Sequence, residues 1–469
     1  MNKNIFTDID ISMSYSDTID YLFGLQKHGI KLGLDNTVKL LSCFGNPQTS
    51  FKSVHVAGTN GKGSTSAMIA SILQSAGFKV GLFTSPHLVS FTERIRINNK
   101  QITENEVVEL ADEIKLKVES LKLEVKNSKS GTFEPTFFEV VTAMGFIYFK
   151  RKNVDWAVIE TGMGGRLDAT NVLMPEATVI TSIGYDHKEF LGNTISDIAG
   201  EKAGIIKEHV PVITSSQEPV VMDKIEKKAR EKDSEIFVYG RDFAAKVKHG
   251  DINGSVFDYQ GDIFFEDIKV SLPGAHQVLN ASLALKTSTA LIKRSELLKA
   301  RLTPDAVRDG LKNVKWPGRL ELVSDNPPIL IDGAHNPSAS ASLADSLRRI
   351  FLKTYKRIIL IAGMMADKDI KGIMAPLLPM ASEIILTAPG YERAASAEIL
   401  AECAASLGFT NVHIASTVKS AIDTAIKIRQ KSEVVTRHSS LILITGSFYT
   451  IGEAKEALGE KGILSRLRE

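Results

Sequence analysis

Short β-branched runs alternate along this chain with longer stretches whose apolar residues recur at helical spacing, and glycine-rich or polar turns separate the two. That alternation is the pattern of strands feeding helices. Residues 53–57, Ser-Val-His-Val-Ala, read as a buried strand. The turn Gly58 to Ser64, GTNGKGS, follows, and then Ala67, Met68, Ile69, Ile72, Leu73 and Ala76 mark a helix that Gly77 stops. Residues 80–83 predict a second strand ending in TSPHL, where Pro86 places Ser85 and His87 on a loop. A charged amphipathic helix is expected over 103–125, a polar loop over 126–131 and a mostly apolar helix over 136–149. Strands are expected at 155–160, 177–183 and 210–214. Residues 242–272 change texture to short β-type runs, with Asn253-Gly254 as a hairpin turn, and a helix follows from about 278 to 293. After Trp316-Pro317-Gly318-Arg319 the pattern restarts, with strands at 329–331, 358–362, 384–387, 412–415 and 441–445. Two α/β domains with parallel-type sheets are the expectation, 1–315 (including the β-rich 242–272) and 316–469.

The turn after the first strand is built to hold phosphate. Gly58, Gly61 and Gly63 lack Cβ atoms, so backbone N–H groups can close on an anion. The helix N-terminus adds partial positive charge and Lys62 a full one, while Ser64 or Thr65 offers a hydroxyl to a phosphate-bound Mg²⁺. The spacing departs from the common Walker pattern, since Gly63 separates Lys62 from the first hydroxyl. A capped glycine turn explains the stretch less well than a nucleotide triphosphate site does.

Composition narrows the classes. The 469 residues exceed a comfortable single core, and 43% hydrophobic with 24% charged residues is ordinary for a globular protein. A net charge of +2 gives no reason to expect nucleic acid or an anionic membrane as partner. Two distant cysteines, Cys43 and Cys403, offer neither a zinc site nor a disulfide framework, and no apolar run is long enough to span a bilayer. Acidic residues interrupt the first twenty or so positions, so no leader is expected. A cytoplasmic monomer is the expectation.

Other residues carry candidate chemistry. Glu160 ends an apolar strand before the glycine-rich TGMGGRLDATN, which favours a metal or phosphate role over an ordinary sheet-edge carboxylate. His187, in GYDH, is an unusual Mg²⁺ ligand and reads equally well as a hydrogen-bonding loop histidine. Lys202, taken alone, reads as a solvated helix lysine. DGAHNP, Asp332 to Pro337, gathers an acid, a histidine and an amide after a strand, and with Arg319 upstream suggests a site on the second domain. The Phe137–Phe138 pair in TFFEVVTA reads first as core.

With these segments in order, the chain resembles the Mur ligase superfamily, and more closely the folylpolyglutamate synthases, whose bacterial members often double as dihydrofolate synthases. The segments that carry the resemblance are GTNGKGS, TSPHL with FTERIRI, TFFEVVTA, ETGMGGRLDATN, TSIGYDH, GEKAGIIK, GAHQVLNA, WPGRLE, DGAHNP, MMADKD and ITGSFY, from about residue 20 to 455. The resemblance implies a P-loop ATPase-type N-terminal domain with a small β subregion and a Rossmann-like C-terminal domain. It implies ATP-dependent ligation of L-glutamate to dihydropteroate or reduced folates through an acyl phosphate. Lys62 and the amides of Gly58, Thr59, Asn60, Gly61, Gly63, Ser64 and Thr65 would bind the nucleotide. Mg²⁺ would sit at Ser64 and Glu160 near Ser85, with a second ion at His187 and a carbamate on Lys202. Arg319 and Asp332 would bind the nucleotide's phosphate and ribose from the second domain with His335 close by, Asn280 would also contact nucleotide, and Phe137–Phe138 with the Gly29–Leu34 loop would lie near a pterin. Some relatives also need K⁺. A ligase for another carboxylate, including a cell-wall nucleotide precursor, and a non-ligating ATP-binding regulator are the competing expectations. The compact N-terminus speaks against the cell-wall precursor, and the joint presence of Glu160, His187, Lys202, Arg319 and Asp332 against the regulator.

Overall fold

The computed structural model describes residues 13–29, 33–128, 132–431 and 440–460. Its first sheet contains β1 (Lys52–Ala57), β2 (Val80–Phe83), β3 (Ile95–Ile97), β4 (Lys100–Gln101), β5 (Trp156–Glu160), β6 (Ala177–Ile180), β7 (Val212–Thr214) and β8 (Ile236–Val238). They lie in the order β4-β3-β2-β5-β1-β6-β7-β8. The six from β2 to β8 run parallel, whereas β3 and β4 add an antiparallel edge. The expectation of parallel-type sheets holds for those six, and the edge is added because the FTERIRI run forms a 3₁₀ turn, Phe91–Arg94, and folds back on β2.

Alternation along β1 explains how the sheet is covered. Val54 and Val56 face a core shared with the helices Lys62–Ser75 and Ala275–Ile292, while Ala157 and Ile159 of β5 face a second core under Glu104–Ser128 and Phe137–Arg151. The antiparallel strands β9 (Ala244–Asp251), β10 (Gly254–Gln260) and β11 (Phe265–Val270) place Phe257, Tyr259 and Ile268 in the first of those cores. Three local expectations shift. The helix expected from 278 starts at Ala275, the polar loop expected from 126 is helical to Ser128, and the strand expected to 183 ends at Ile180.

The second sheet has the order β12-β13-β17-β14-β15-β16, from β12 (Glu321–Asp325), β13 (Pro328–Asp332), β14 (Arg357–Ala362), β15 (Glu383–Thr387), β16 (His413–Ala415) and β17 (Ser440–Thr445). Only β12 is antiparallel, a hairpin partner of β13 that sequence patterning did not single out. In the first sheet, the turns after β1, β2, β5 and β6 all emerge at the carboxyl edge, where β1 lies between β5 and β6 and the strand order reverses. Open α/β sheets bind ligands at such switch points. No helix among the described residues is long and apolar enough to cross a membrane.

Candidate active site

The turn after β1 is fastened before anything binds it. Thr59 and Asn60 donate backbone N–H bonds to Ser182 O at 2.9 and 3.1 Å, and the Thr59 hydroxyl donates to Gly184 O at 3.0 Å. Gly61 caps the helix at φ +90, and a Cβ there would lie 2.4 Å from Asn280 Oδ1. At Gly63 a Cβ would lie 2.9 Å from the Trp316 ring, so Asn280 and Trp316 approach the turn as closely as its glycines allow. Lys62 Nζ curls back to donate to Gly58 O at 3.1 Å. Ser64 Oγ and Thr65 Oγ1 are buried in the first helical turn without a protein partner. Unpartnered buried hydroxyls beside free helical N–H groups are costly unless a ligand uses them.

Glu160 ends β5, level with Val56 in β1, and accepts a bond from Ser85 N at 3.3 Å. Burial raises its pKa to about 7, against the opposing pull of Lys62, the Ser85 N–H and Arg319. Lys202 departs from the solvated lysine that its residue type suggested. It sits near the end of the helix Ile195–Ala203, 4% exposed, and donates to Gly58 O at 2.9 Å. Burial first, then the charge of Lys62, lowers its pKa to about 7. A capping box, Thr194 with Asp197, starts that helix and so sets where Lys202 emerges.

The turn after β6 reaches across to the second sheet's unit. Asp186 accepts from Lys368 Nζ at 2.8 Å and lies 3.7 Å from His187 Nε2 and 3.8 Å from His335 Nε2. Burial pushes the Asp186 carboxyl up, yet His335, His187 and Lys368 together hold it well below the usual range. His187 occupies a left-handed conformation, φ 48, with its imidazole 42% exposed. A second bridge joins Asn60 to Asn336: each side-chain amide donates to the other, at 3.2 and 2.9 Å. Sequence reading placed Asn60 in the phosphate turn, but nothing in the pattern identified its partner 276 residues away.

Asp332 is buried and Arg319 half-buried. Asp332 accepts from Leu320 N at 3.0 Å and Ala334 N at 2.9 Å, and burial raises its pKa despite Arg319. Arg319 lies over the Phe448 ring at 4.8 Å. His335 Nδ1 donates to Gly333 O at 2.8 Å, leaving Nε2 toward Asp186. A cavity lined by Ser85, Glu160 and Arg96 from one unit and Arg319 and Phe448 from the other lies between the two, with Trp316, packed against the first sheet's core, on its wall.

Phe137 and Phe138 do not face that cavity. Phe137 stacks on Phe23 at 4.9 Å and sits under Arg94 at 5.2 Å, while Phe138 abuts Gly162, where a Cβ would approach its ring to 2.5 Å. Of the Gly29–Leu34 segment, residues 30–32 lie outside the described residues. Among the described residues no three His, Cys, Asp or Glu side chains gather to hold a metal ion. Glu160 with the partnerless Ser64 hydroxyl suits a hard cation that takes its remaining oxygens from phosphate and water.

Comparison with known proteins supplies the family. Residues 56–288 match the Mur ligase middle domain and 318–448 the Mur ligase glutamate ligase domain. Dihydrofolate synthase/folylpolyglutamate synthase of Bacillus subtilis is 36% identical over 448 residues, 95% of this chain and 99% of that protein. Folylpolyglutamate synthase of Lacticaseibacillus casei is 37% identical over 386 residues, 81% of this chain and 87% of that protein. The crystal structure of Mycobacterium tuberculosis folylpolyglutamate synthase complexed with ADP and AMPPCP superposes with a TM-score of 0.86 at 34% identity, covering 96% of this chain and all of that one. The chain belongs to the dihydrofolate synthase/folylpolyglutamate synthase family of the Mur ligases.

Proposed function

We propose that this protein is an ATP-dependent amide ligase that joins L-glutamate to dihydropteroate, to reduced folates, or to both. One observation carries the reading: Lys62 and Lys202 both donate to Gly58 O in the turn after β1, while Glu160 and Arg319 line the cavity beside Gly63 of that turn from the two units. The chemistry is transfer of the γ-phosphoryl group to a substrate carboxylate, releasing ADP. The amine of glutamate then attacks the acyl carbon, phosphate leaves, and one proton is released as the amide forms.

The chain's own groups fit those demands. The amides of the Gly58–Thr65 turn, with Lys62 and Arg319, spread positive charge over phosphate oxygens, where phosphoryl transfer needs it. Mg²⁺, held by Ser64 and Glu160 near Ser85, would neutralise phosphate charge when bound. Burial draws the Lys202 amine toward its neutral form, and a neutral amine takes up CO₂ to give a carbamate and a proton. That carbamate and His187 would supply a second oxygen-and-nitrogen site for a hard cation. Asn280, Asp332 and His335 are assigned to the nucleotide, Phe137 and Phe138 to the wall behind the acceptor. Apposition of the units excludes water from an acyl phosphate that would otherwise hydrolyse. A boundary at residues 315/316, a monomer, a reducing cytoplasmic setting and a K⁺ requirement belong to the same proposal.

The test is ADP release with Mg-ATP and glutamate, with dihydropteroate in one reaction and tetrahydrofolate in another, and mass spectrometry of both. A mass gain of one glutamyl unit in either supports the reading and shows which acceptor is used. ADP release without a glutamylated product, or no turnover with either acceptor, overturns it.

A further inference from the structure

His55 belongs to β1, three residues before the phosphate turn, and faces away from the core that holds Val54 and Val56. It is fully buried, and its Nε2 lies 2.8 Å from Thr170 Oγ1. Thr170 Oγ1 in turn lies 2.5 Å from Asp168 Oδ1, which also accepts Thr170 N at 3.0 Å, while Asp168 Oδ2 accepts Met163 N at 2.9 Å. The proton order follows from donor and acceptor capacity. A carboxylate only accepts, so the single hydroxyl proton goes to Asp168, and the hydroxyl oxygen accepts from Nε2–H. Nδ1 is then the lone-pair nitrogen, and it is buried without a partner. Burial keeps the ring neutral, its pKa lowered to about 3. Three polar groups buried at this cost need a reason that packing does not provide.

The loop they close supplies one. It starts at Glu160, and Thr161 N is bonded to Val56 O at 2.9 Å. Midway it lies against the turn that carries Lys202: Arg166 N donates to Glu201 O at 2.8 Å, and a Cβ on Gly165 would lie 2.9 Å from Lys202 O. Asn171 Nδ2 ties its far end to Arg166 O at 2.9 Å and Gly204 O at 3.2 Å. The loop is therefore the physical spacer between Glu160 and Lys202, and Asp168 folds it by reaching back to Met163. We infer that His55, Thr170 and Asp168 form a buried positioning relay that anchors this loop to β1 and so sets the spacing of Glu160 and Lys202 around the phosphate turn. The inference rests on the proposed function for the roles of those two residues; the relay itself acts on loop order and is measurable without substrates.

Thr170→Val removes the hydroxyl at nearly constant shape, Thr170→Ser restores it, and His55→Gln gives a second, independent break. In the metal-free full chain, hydrogen exchange of residues 161–168 is expected to accelerate about tenfold or more in Thr170→Val and His55→Gln and to stay at the wild-type rate in Thr170→Ser. Nitrogen-15 NMR is expected to show a neutral His55 with Nε2–H from pH 7 to 5, its proton signal lost in Thr170→Val. In turnover, the Mg²⁺ concentration for half-activation is expected to rise about tenfold in Thr170→Val, within the range of outer-sphere ligand mutations, with rescue by Thr170→Ser. Unchanged loop exchange in both breaking variants overturns the relay, as does a Thr170→Ser protein that behaves like Thr170→Val. Inactive wild-type protein with the expected exchange pattern refutes the ligase assignment and leaves the relay standing.

Discussion

Lys202 and Glu160 are an opposed pair, a buried base and a buried acid whose pKa values both move to about 7. For Lys202 the folded value is lowered, so between about 7 and 10.5 the unfolded chain binds the extra proton and stability rises with pH. Lys202→Met removes that slope: the variant is expected to melt higher than wild type at pH 6.5, with the gap closing toward pH 10, as thermal melts across pH would show. For Glu160 the folded value is raised, so its contribution is present below 4.5 and is lost as pH rises through about 7. Glu160→Gln is therefore expected to fold at least as stably as wild type at pH 8 while losing about 10²-fold or more in kcat. A Glu160→Gln enzyme within threefold of wild type would remove Glu160 from the chemistry. His55 has the opposite acid behaviour from Glu160: a folded pKa of about 3 against an ordinary 6.5 means stability lost as pH falls from 6.5 toward 3.

At the scale of elements, the phosphate turn owes its shape to contacts from distant helices. Gly61 holds φ +90 while Asn280, from the helix Ala275–Ile292, occupies the space a Cβ would need. Gly61→Ala is expected to cost about 1–3 kcal/mol of stability, from strain plus the displaced amide, and to weaken nucleotide binding by about tenfold or more. Calorimetry with AMPPCP checks the second effect, and an unchanged Kd contradicts it. The glycine-rich order, the strand before the turn and the helix after it were all legible, because hydrophobic period and glycine spacing are local properties. Lys202 was not. Its helix position reads as surface until the glycine loop after β5 and the turn after β1 close over it. The antiparallel β3–β4 edge was hidden for a similar reason, since short strands take their identity from pairing.

At the scale of the whole molecule, the polar bridges that span the units include the reciprocal Asn60–Asn336 amides, and Asp186 with Lys368 and His335. Asn336 also caps the helix Pro337–Arg349 through Ala339 N at 2.9 Å. Serine caps as well as asparagine but cannot reach across as an amide. Asn336→Ser is thus expected to melt within about 2 °C of wild type, since a retained cap limits the loss to a few tenths of a kcal/mol. The same change is expected to lower kcat about tenfold, and small-angle scattering should show less nucleotide-induced compaction. Asn60→Ser is expected to match it, and the double variant to be no worse than either single one, because both remove the same bridge. Full additivity would show that the amides act independently.

The sequence by itself determined most of the alternation of strands and helices, the glycine-rich turn after β1 and the family, because each depends on neighbours within a few residues or on motifs that keep their order. It also placed Asp186, His187 and His335 on turns beyond strand ends, whereas Asp332, expected in the turn, is the last residue of β13. Which of these groups meet was decided only by the tertiary structure. His55 alternates along a strand like any buried residue, and only packing sets Thr170 against its ring and Asp168 beyond. Asn60 and Asn336, or Asp186 and Lys368, carry no signal in their local patterns that names a partner. Charge state was likewise a tertiary outcome, because desolvation, and not residue type, moves Lys202 and Glu160 to about 7.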